Sequence, residues 1–408
     1  MREFQVLKSD ITKTRIAEVD INQSGLEKDE ILVQIENFSF TANNISYGVA
    51  GDSLGYWQFF PAKDNQNGEW GCIPMWGFAK VVKSNHDEIK ESERLFGYFP
   101  PSDFLKIQPA KISSQNFFDS TPHRKDLPVI YNNYVRLEGE ADYDASNDSI
   151  RALLFPLHLT AFCLCDALLY ENYYDCEQII ILSASSKTAI GLAQGLSEAD
   201  TEPKVFGFTS KKNKEFVESL NCYDEILPYE EIDNLDFSKN SVIVDMAGNP
   251  AIMEKLSTIL QDNLKKFLTV GATHWQKITS TDDVITNVKD SRFEFFFAPG
   301  HAQKRSGEWG AEKFNKIANE FLKKRSEQSK SWMNINEIRD FEGLSEIYND
   351  KSIRMAPVDI TEAKKMIKEV KSLVAITGYR GLPAADINII ANAVVNMSKF
   401  AFVKEIKE

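Results

Sequence analysis

The feature that most constrains this chain is a run of short, isoleucine- and valine-rich segments between residues 178 and 270, separated by helical patterns. Gln178 to Leu182, Val205 to Phe208, Val242 to Val244 and Phe267 to Val270 are each too short for a buried helix and have the β-branched and aromatic character of buried strands. After the first, Ala189, Ala193 and Leu196 share one helical face. Before the last, Ile252, Leu256, Ile259 and Leu260 do the same. Strands apolar on both faces and joined through helices imply a parallel sheet with right-handed crossovers. The expectation is an α/β, doubly wound (Rossmann) domain over residues 151 to 290.

The flanks read differently. Residues 1 to 150 are β-rich, with Ile31 to Glu36 alternating as a half-buried strand and Ala79 to Val82 as a short second one. Asp64 to Gly71 and Tyr98 to Asp103 are turn-rich, and Glu138 to Ser149 is acidic and polar, the pattern of an exposed loop. Beyond the Phe293 to Phe297 strand, residues 291 to 376 are expected to return to the first domain. They carry charged helical patterns at Lys313 to Lys324 and Thr361 to Lys371. Residues 377 to 408 form a tail to which no role is assigned.

Composition excludes some functions. The 408 residues, 43% hydrophobic and 26% charged, suit about two packed domains. A formal net charge of −13 argues against nucleic acid as the main partner. No uninterrupted apolar run approaches the roughly 20 residues of a membrane span, and Met1 to Asp10 lacks an apolar signal core. The expectation is a cytoplasmic protein acting on a small molecule, without membrane association. The five cysteines are scattered, so a disulfide framework is not expected.

The first strand runs into Ser183-Ala184-Ser185-Ser186-Lys187-Thr188-Ala189. Small side chains let a backbone approach a pyrophosphate, and a helix start offers free N–H groups and a positive dipole. Ser185, Ser186, Lys187 and Thr188 are the candidate phosphate contacts; a plain serine-capped helix start is the alternative, since no GxGxxG is present. The second strand ends in Thr209-Ser210-Lys211-Lys212, with no acidic residue to accept a ribose 2′-hydroxyl. Thr209, Ser210 and Lys211 suit a 2′-phosphate through charge-assisted bonds, a solvated basic loop being the alternative. Gly248 on the turn after the third predicted strand, and Val270, Gly271 and Ala272 after the fourth, sit at carboxyl ends of parallel strands, where ligands bind in such sheets. The cofactor expected is NADP(H).

These segments, in this order, resemble the medium-chain dehydrogenase/reductase superfamily, in its zinc-free, quinone-oxidoreductase-like branch. Leu159-Thr160-Ala161-Phe162 resembles the Leu-Thr-Ala-Tyr that opens the helix before that family's cofactor domain. Ile181 to Ala193 is similar to its first βα unit, and Phe208 to Lys212 to its 2′-phosphate loop. Val244 to Gly248 resembles its Asp-x-x-Gly turn, Val270-Gly271 its nicotinamide-side strand end, and Gly77 to Val82 its Gly-x-Val-Val strand. The phrases Thr41 to Ile45, Gly55 to Trp57 and Phe59 to Ala62 look like a subfamily without an assigned substrate. The resemblance spans roughly residues 25 to 300. It implies a GroES-like catalytic domain at the N-terminus and, by analogy, a homodimer.

Where zinc-dependent relatives place a Cys ligand and a His-Glu pair, this chain has Asn43 and Met75-Trp76. No metal site is expected, and the resemblance implies direct hydride transfer to an activated double bond or a quinone. Asn43 is the candidate carbonyl donor. Tyr47 and Tyr56, with Tyr131, are candidate proton donors, and Trp57 and Trp76 candidate walls, each also readable as core. His158 reads as a satisfied, partly buried histidine. His274 follows the nicotinamide-side turn, and His301, Lys304 and Arg305 read as a solvated basic loop. Lys323-Lys324-Arg325 reads as an exposed helix face. A non-catalytic NADPH-binding protein, sensor or crystallin-like, is the alternative that fold alone leaves open.

Overall fold

The computed structural model describes residues 1–19, 25–49, 51–52, 55–199, 201–246, 250–270 and 290–349. Gly248, Gly271, Ala272, His274, the helix expected at Thr361 to Lys371 and the tail 377–408 lie outside them. The chain divides into two compact units, one of Met1–Pro156 with Ile335–Asp350, the other containing Leu157–Asn334.

In the first unit, β1 (Arg2–Leu7) pairs antiparallel with β2 (Asp10–Glu18) and with a two-residue strand, β4 (Trp70–Gly71). A second sheet, seven-stranded among the described residues, has the order β7-β3-β5-β6-β10-β9-β8. Its members are β3 (Ile31–Phe38), β5 (Met75–Ser84), β6 (Arg94–Phe99), β7 (Phe104–Ile107), β8 (Pro109–Ala110), β9 (Asn116–Asp119) and β10 (Asn133–Arg136). Ile31, Val33, Ala79, Val81, Leu95 and Phe99 build one buried core, but Leu32 is buried as well, so the expected alternation in β3 begins only at Val33. Two short helices, α1 (Ala42–Val49) and α2 (Tyr56–Phe59), follow β3.

The long helix α3 (Asp148–Tyr170) begins inside the stretch expected to be a loop, and 3-10 turns at Leu137–Gly139 and Ala145–Asn147 flank the irregular residues 140–144. Local hydrogen bonds order this polar segment: the Tyr143 hydroxyl donates to Asp148 and the Ser146 N–H to Asp144. Ala145–Tyr170 is, by length and composition, apolar enough to cross a bilayer, with a mean hydropathy of 1.9, although 56% of that window is buried inside the protein. This corrects the expectation from uninterrupted runs: His158, Thr160 and Pro156 break the run but not the average. The burial is that of a core helix.

The second unit is the parallel sheet. Its strands are β11 (Gln178–Leu182), β12 (Lys204–Thr209), β13 (Glu225–Pro228), β14 (Ser241–Asp245), β15 (Leu264–Thr269) and β16 (Phe293–Phe295), in the order β13-β12-β11-β14-β15-β16. Every pairing is parallel. In units of that sheet the order is 3-2-1-4-5-6, the doubly wound arrangement. All five residues of β11 and of β14 are buried, which is why they read as continuous apolar runs rather than alternating ones. Around the sheet run α4 (Lys187–Glu198), α5 (Lys214–Ser219), α6 (Pro250–Leu260), α7 (Ala298–Trp309) and α8 (Ala311–Ser329).

The return to the first unit comes at Ile335, later than the expected 291. Polar and aromatic contacts hold α7 and α8 in the second unit. His301 and Arg305 both bond Asp166 of α3, at 2.6 and 2.7 Å, so the basic loop expected there is a helix tied to an acid. Phe162 packs on Phe314 and Phe321, each at 5.6 Å between ring centroids. Arg325 is paired with Glu198 and only 1% exposed, whereas Lys323 and Lys324 are exposed as the charge pattern implied. Within the first unit a final helix, α9 (Phe341–Asn349), rests on β2 through Tyr348, whose hydroxyl donates to the Ile11 carbonyl at 2.7 Å.

Candidate functional site

Sheet order decides where a ligand meets the second unit. Between β11 and β14 the winding direction reverses, and the turn after β11 opens at that point. Ser183 begins it with φ of 58°, a left-handed conformation that disfavours any residue with a Cβ. Three bonds hold it there. The Ser183 N–H donates to the Tyr229 hydroxyl at 2.7 Å, Ser186 N–H donates to the Ser183 carbonyl at 2.8 Å, and Ala184 N–H donates to the Phe208 carbonyl at 2.9 Å. Tyr223 completes the floor by donating to the Ala184 carbonyl at 2.9 Å. Burial pushes the Tyr229 hydroxyl up to about 12, so it is a neutral phenol.

The turn can lie this close because β12 carries Gly207 opposite Ile181. A Cβ on residue 207 would stand 2.9 Å from Tyr223 Cδ1 and 3.0 Å from the Ala184 Cβ. The small-residue approach that glycines usually provide in the turn is supplied here from the neighbouring strand.

The serines are disposed for anion binding. Ser186 is the N-cap of α4 and its hydroxyl accepts from Ala189 N–H. Ser185 Oγ accepts from Asn213 Nδ2 at 3.0 Å and from Thr209 Oγ1 at 3.5 Å. With their acceptor sides occupied, both hydroxyls keep their own protons to donate. Lys187 and Thr188 follow, half-buried, in the first helical turn. Thr209 is fully buried and braces Ser185, so it is not placed as the direct contact expected. Ser210 is half-buried, Lys211 and Lys212 are exposed, and no acid stands between Thr209 and Lys214. Val270 N–H is spent on the Asp245 carbonyl at 2.8 Å, at the end of β15.

His158 departs from its expected role. It is fully buried, and neither ring nitrogen has a hydrogen-bond partner. Burial, with the charges of Arg325 and Lys187, pushes it down to about 3, so it is a neutral imidazole packed on Gly191 of α4.

The candidate polar residues of the first unit do gather. In α1, Asn43 Nδ2 donates to the Tyr47 hydroxyl at 2.6 Å, four residues on and one helical turn away. Asn44 anchors that helix by donating to the Pro74 carbonyl. The Tyr47 and Tyr56 rings are 4.4 Å apart, and Tyr56 and Tyr131 share a hydrogen bond at 3.1 Å. Buried Arg124 steadies the arrangement: it pairs with Asp119 and donates to the Phe59 carbonyl at the end of α2. Asn132 in turn donates to the Arg124 carbonyl, fixing the loop that carries Tyr131. Burial raises the Tyr47 and Tyr56 hydroxyls far above the ordinary phenol range, keeping them protonated donors. Trp57 is no wall: it is wedged against Gly51 and Gly71 and is core.

Reading the sequence missed Asn213, Tyr223, Tyr229 and Gly207. Only Gly207 left a signal, as a glycine inside an apolar strand, which marks close backbone approach. Among the described residues no group of three or more His, Cys, Asp or Glu side chains is gathered for a metal, and all five cysteines are free.

Comparison with known proteins places this geometry in context. The model of the family described as "Protein of unknown function (DUF2855)" matches residues 38–353, and that of an ATP-grasp domain matches residues 343–408. CurA in complex with NADPH, from Vibrio vulnificus, is similar in structure with a TM-score of 0.52 and 11% sequence identity, covering 86% of this chain and 95% of its own. The CurF ER cyclopropanase from the curacin A biosynthetic pathway gives a TM-score of 0.50 and 13% identity, covering 85% and 94%. At such identities the likeness is one of fold: a Rossmann-type domain joined to a GroES-like one.

Proposed function

The chain belongs to the DUF2855 family, described only as proteins of unknown function, and from the cradle after β11 we propose that it is an NADP(H)-dependent oxidoreductase. The observation that carries this is the pairing of a left-handed serine turn, seated over Gly207, with an acid-free loop bearing Ser210 and Lys211. NADPH bound in the CurA structure of the same fold supports the reading.

The residues present fit a doubly phosphorylated dinucleotide. Ser185 and Ser186 would donate to the pyrophosphate, with Lys187, Thr188 and the positive end of α4 supplying charge complementarity. Ser210 and Lys211 would hold the 2′-phosphate. Bound NADPH would supply hydride to an electron-poor carbon of an activated double bond or a quinone-like compound. For the protein's part, Asn43 orients the Tyr47 hydroxyl, and neutral Tyr47 and Tyr56 supply hydrogen bonds or a proton to the substrate oxygen. Asn43, where zinc-dependent relatives have a cysteine, makes the reading a zinc-independent one.

Calorimetric titration with NADPH and NADH tests it. NADPH should bind more tightly, and replacing Ser210 and Lys211 together by alanine should erase the preference. Each charge-assisted bond lost is worth about 1.5–3 kcal/mol, a tenfold effect or more. Equal affinity for both nucleotides in the unaltered protein, or none at millimolar concentration, refutes the cofactor assignment. Failure of any enone, quinone or aldehyde to oxidise bound NADPH refutes the enzymatic half alone.

A further inference from the structure

Asn213 stands at the position before α5 where an asparagine ordinarily caps a helix, yet its side chain makes no capping bond. Its amide reaches instead to a different turn of the chain: Nδ2 donates to Ser185 Oγ at 3.0 Å, across 28 residues. The local preference is set aside in favour of a contact with the cradle after β11.

The backbone of Asn213 belongs to the loop after β12. Its N–H donates to the Ser210 carbonyl at 2.9 Å, closing the turn that carries Ser210 and Lys211. One residue therefore ties the loop assigned to the 2′-phosphate to the turn assigned to the pyrophosphate. In a 2′-phosphorylated dinucleotide the adenosine ribose does the same: it carries the pyrophosphate on its 5′ carbon and the extra phosphate on its 2′ carbon. Asn213 also has hydrogen-bonding capacity left over. Among the described residues its Oδ1 accepts nothing, and the second proton of Nδ2 is not donated. The residue is half-buried, so a ligand can reach these groups.

We propose that Asn213 is a specificity-determining residue for the adenosine ribose of a 2′-phosphorylated dinucleotide, its Oδ1 accepting the ribose 3′-hydroxyl while its Nδ2 keeps the Ser185 hydroxyl a donor to the pyrophosphate. A ribose with a 2′-phosphate has one hydroxyl left, the 3′, and that donor needs an acceptor. A carboxylate would accept it but would repel the neighbouring phosphate. A neutral amide accepts without repulsion and has N–H groups to offer an anion. This inference rests on the nucleotide reading above and adds to it a determinant beyond Ser210 and Lys211.

The test compares Asn213→Ala and Asn213→Asp with the unaltered full chain by calorimetric titration with NADPH and with NADH, and by thermal unfolding. Since the side chain caps nothing, both variants should unfold near the parent's midpoint. The alanine variant lacks an acceptor and a brace that serve both nucleotides, so both affinities should fall together, about tenfold, with their ratio kept by Ser210 and Lys211. The aspartate variant offers a carboxylate that suits the two ribose hydroxyls of NADH and repels the 2′-phosphate. Its preference for NADPH over NADH should drop about tenfold or more. A merely structural asparagine would lower the midpoint and leave that ratio alone in both variants. An unchanged ratio in Asn213→Asp overturns the proposal, as does parental affinity for both nucleotides in Asn213→Ala. A parent that prefers NADPH and an aspartate variant that prefers it equally remove this inference and leave the cofactor reading standing; a parent that binds neither nucleotide removes both.

Discussion

The Tyr229 hydroxyl accepts the backbone N–H of Ser183 at 2.7 Å, and that bond holds a residue with a Cβ in a left-handed turn. Ser183 is 2% exposed, so its amide has no water to fall back on. Tyr229→Phe should therefore cost about 1–3 kcal/mol of stability and weaken NADPH binding about tenfold or more. Thermal unfolding and a nucleotide titration measure both. An unaltered dissociation constant would mean the turn does not depend on this bond.

Gly207 offers a second handle on the same turn. Gly207→Ala puts a methyl 2.9 Å from the Tyr223 ring and 3.0 Å from Ala184, forcing strand and turn apart. Overpacking of this kind costs about 1–3 kcal/mol, and nucleotide affinity should fall with it. Gly307 is the contrast. It lies within α7 with nothing inside 4 Å of an added Cβ, so Gly307→Ala should stabilise by up to about 1 kcal/mol and leave binding alone.

His158 predicts a pH dependence. Its folded pKa is about 3, against the usual 6.5. Below pH 6.5 the unfolded chain takes up a proton that the native state refuses, so stability drains as pH falls, by about 1.4 kcal/mol per pH unit, until about pH 3. Above 6.5 the term is constant. His158→Leu should flatten the loss between pH 6.5 and 5, where few carboxylates titrate. If variant and parent lose midpoint temperature in parallel over that interval, His158 is not carrying the effect.

Arg325 and Glu198 form an unequal pair, the arginine 1% exposed and the glutamate 33% exposed at its side chain. Removing the acid strands a buried cation; removing the cation leaves an acid that water and Lys324 still serve. Glu198→Ala should cost about 3–5 kcal/mol, and Arg325→Met clearly less. Equal losses in denaturant unfolding would contradict this asymmetry.

The parallel sheet was legible from the sequence because strands buried on both faces must be apolar throughout, and β11 and β14 are. Charge could be read but not its destination. Lys323, Lys324 and Arg325 look alike in sequence, and only the helix phase of α8 sends Arg325 inward. The same holds for His301 and Arg305, whose acid Asp166 comes from a distant helix.

What the chain alone determined was the winding of the second unit, the small-residue turn after its first strand and the acid-free basic loop after its second, since each is a local pattern of size, charge and period. Tertiary structure decided what surrounds them. Tyr229, Tyr223, Asn213 and Gly207 reach the turn from other strands and loops, and Trp76 meets Tyr98 only through strand pairing. Such contacts depend on register and packing between segments far apart in the chain, and no local pattern encodes them.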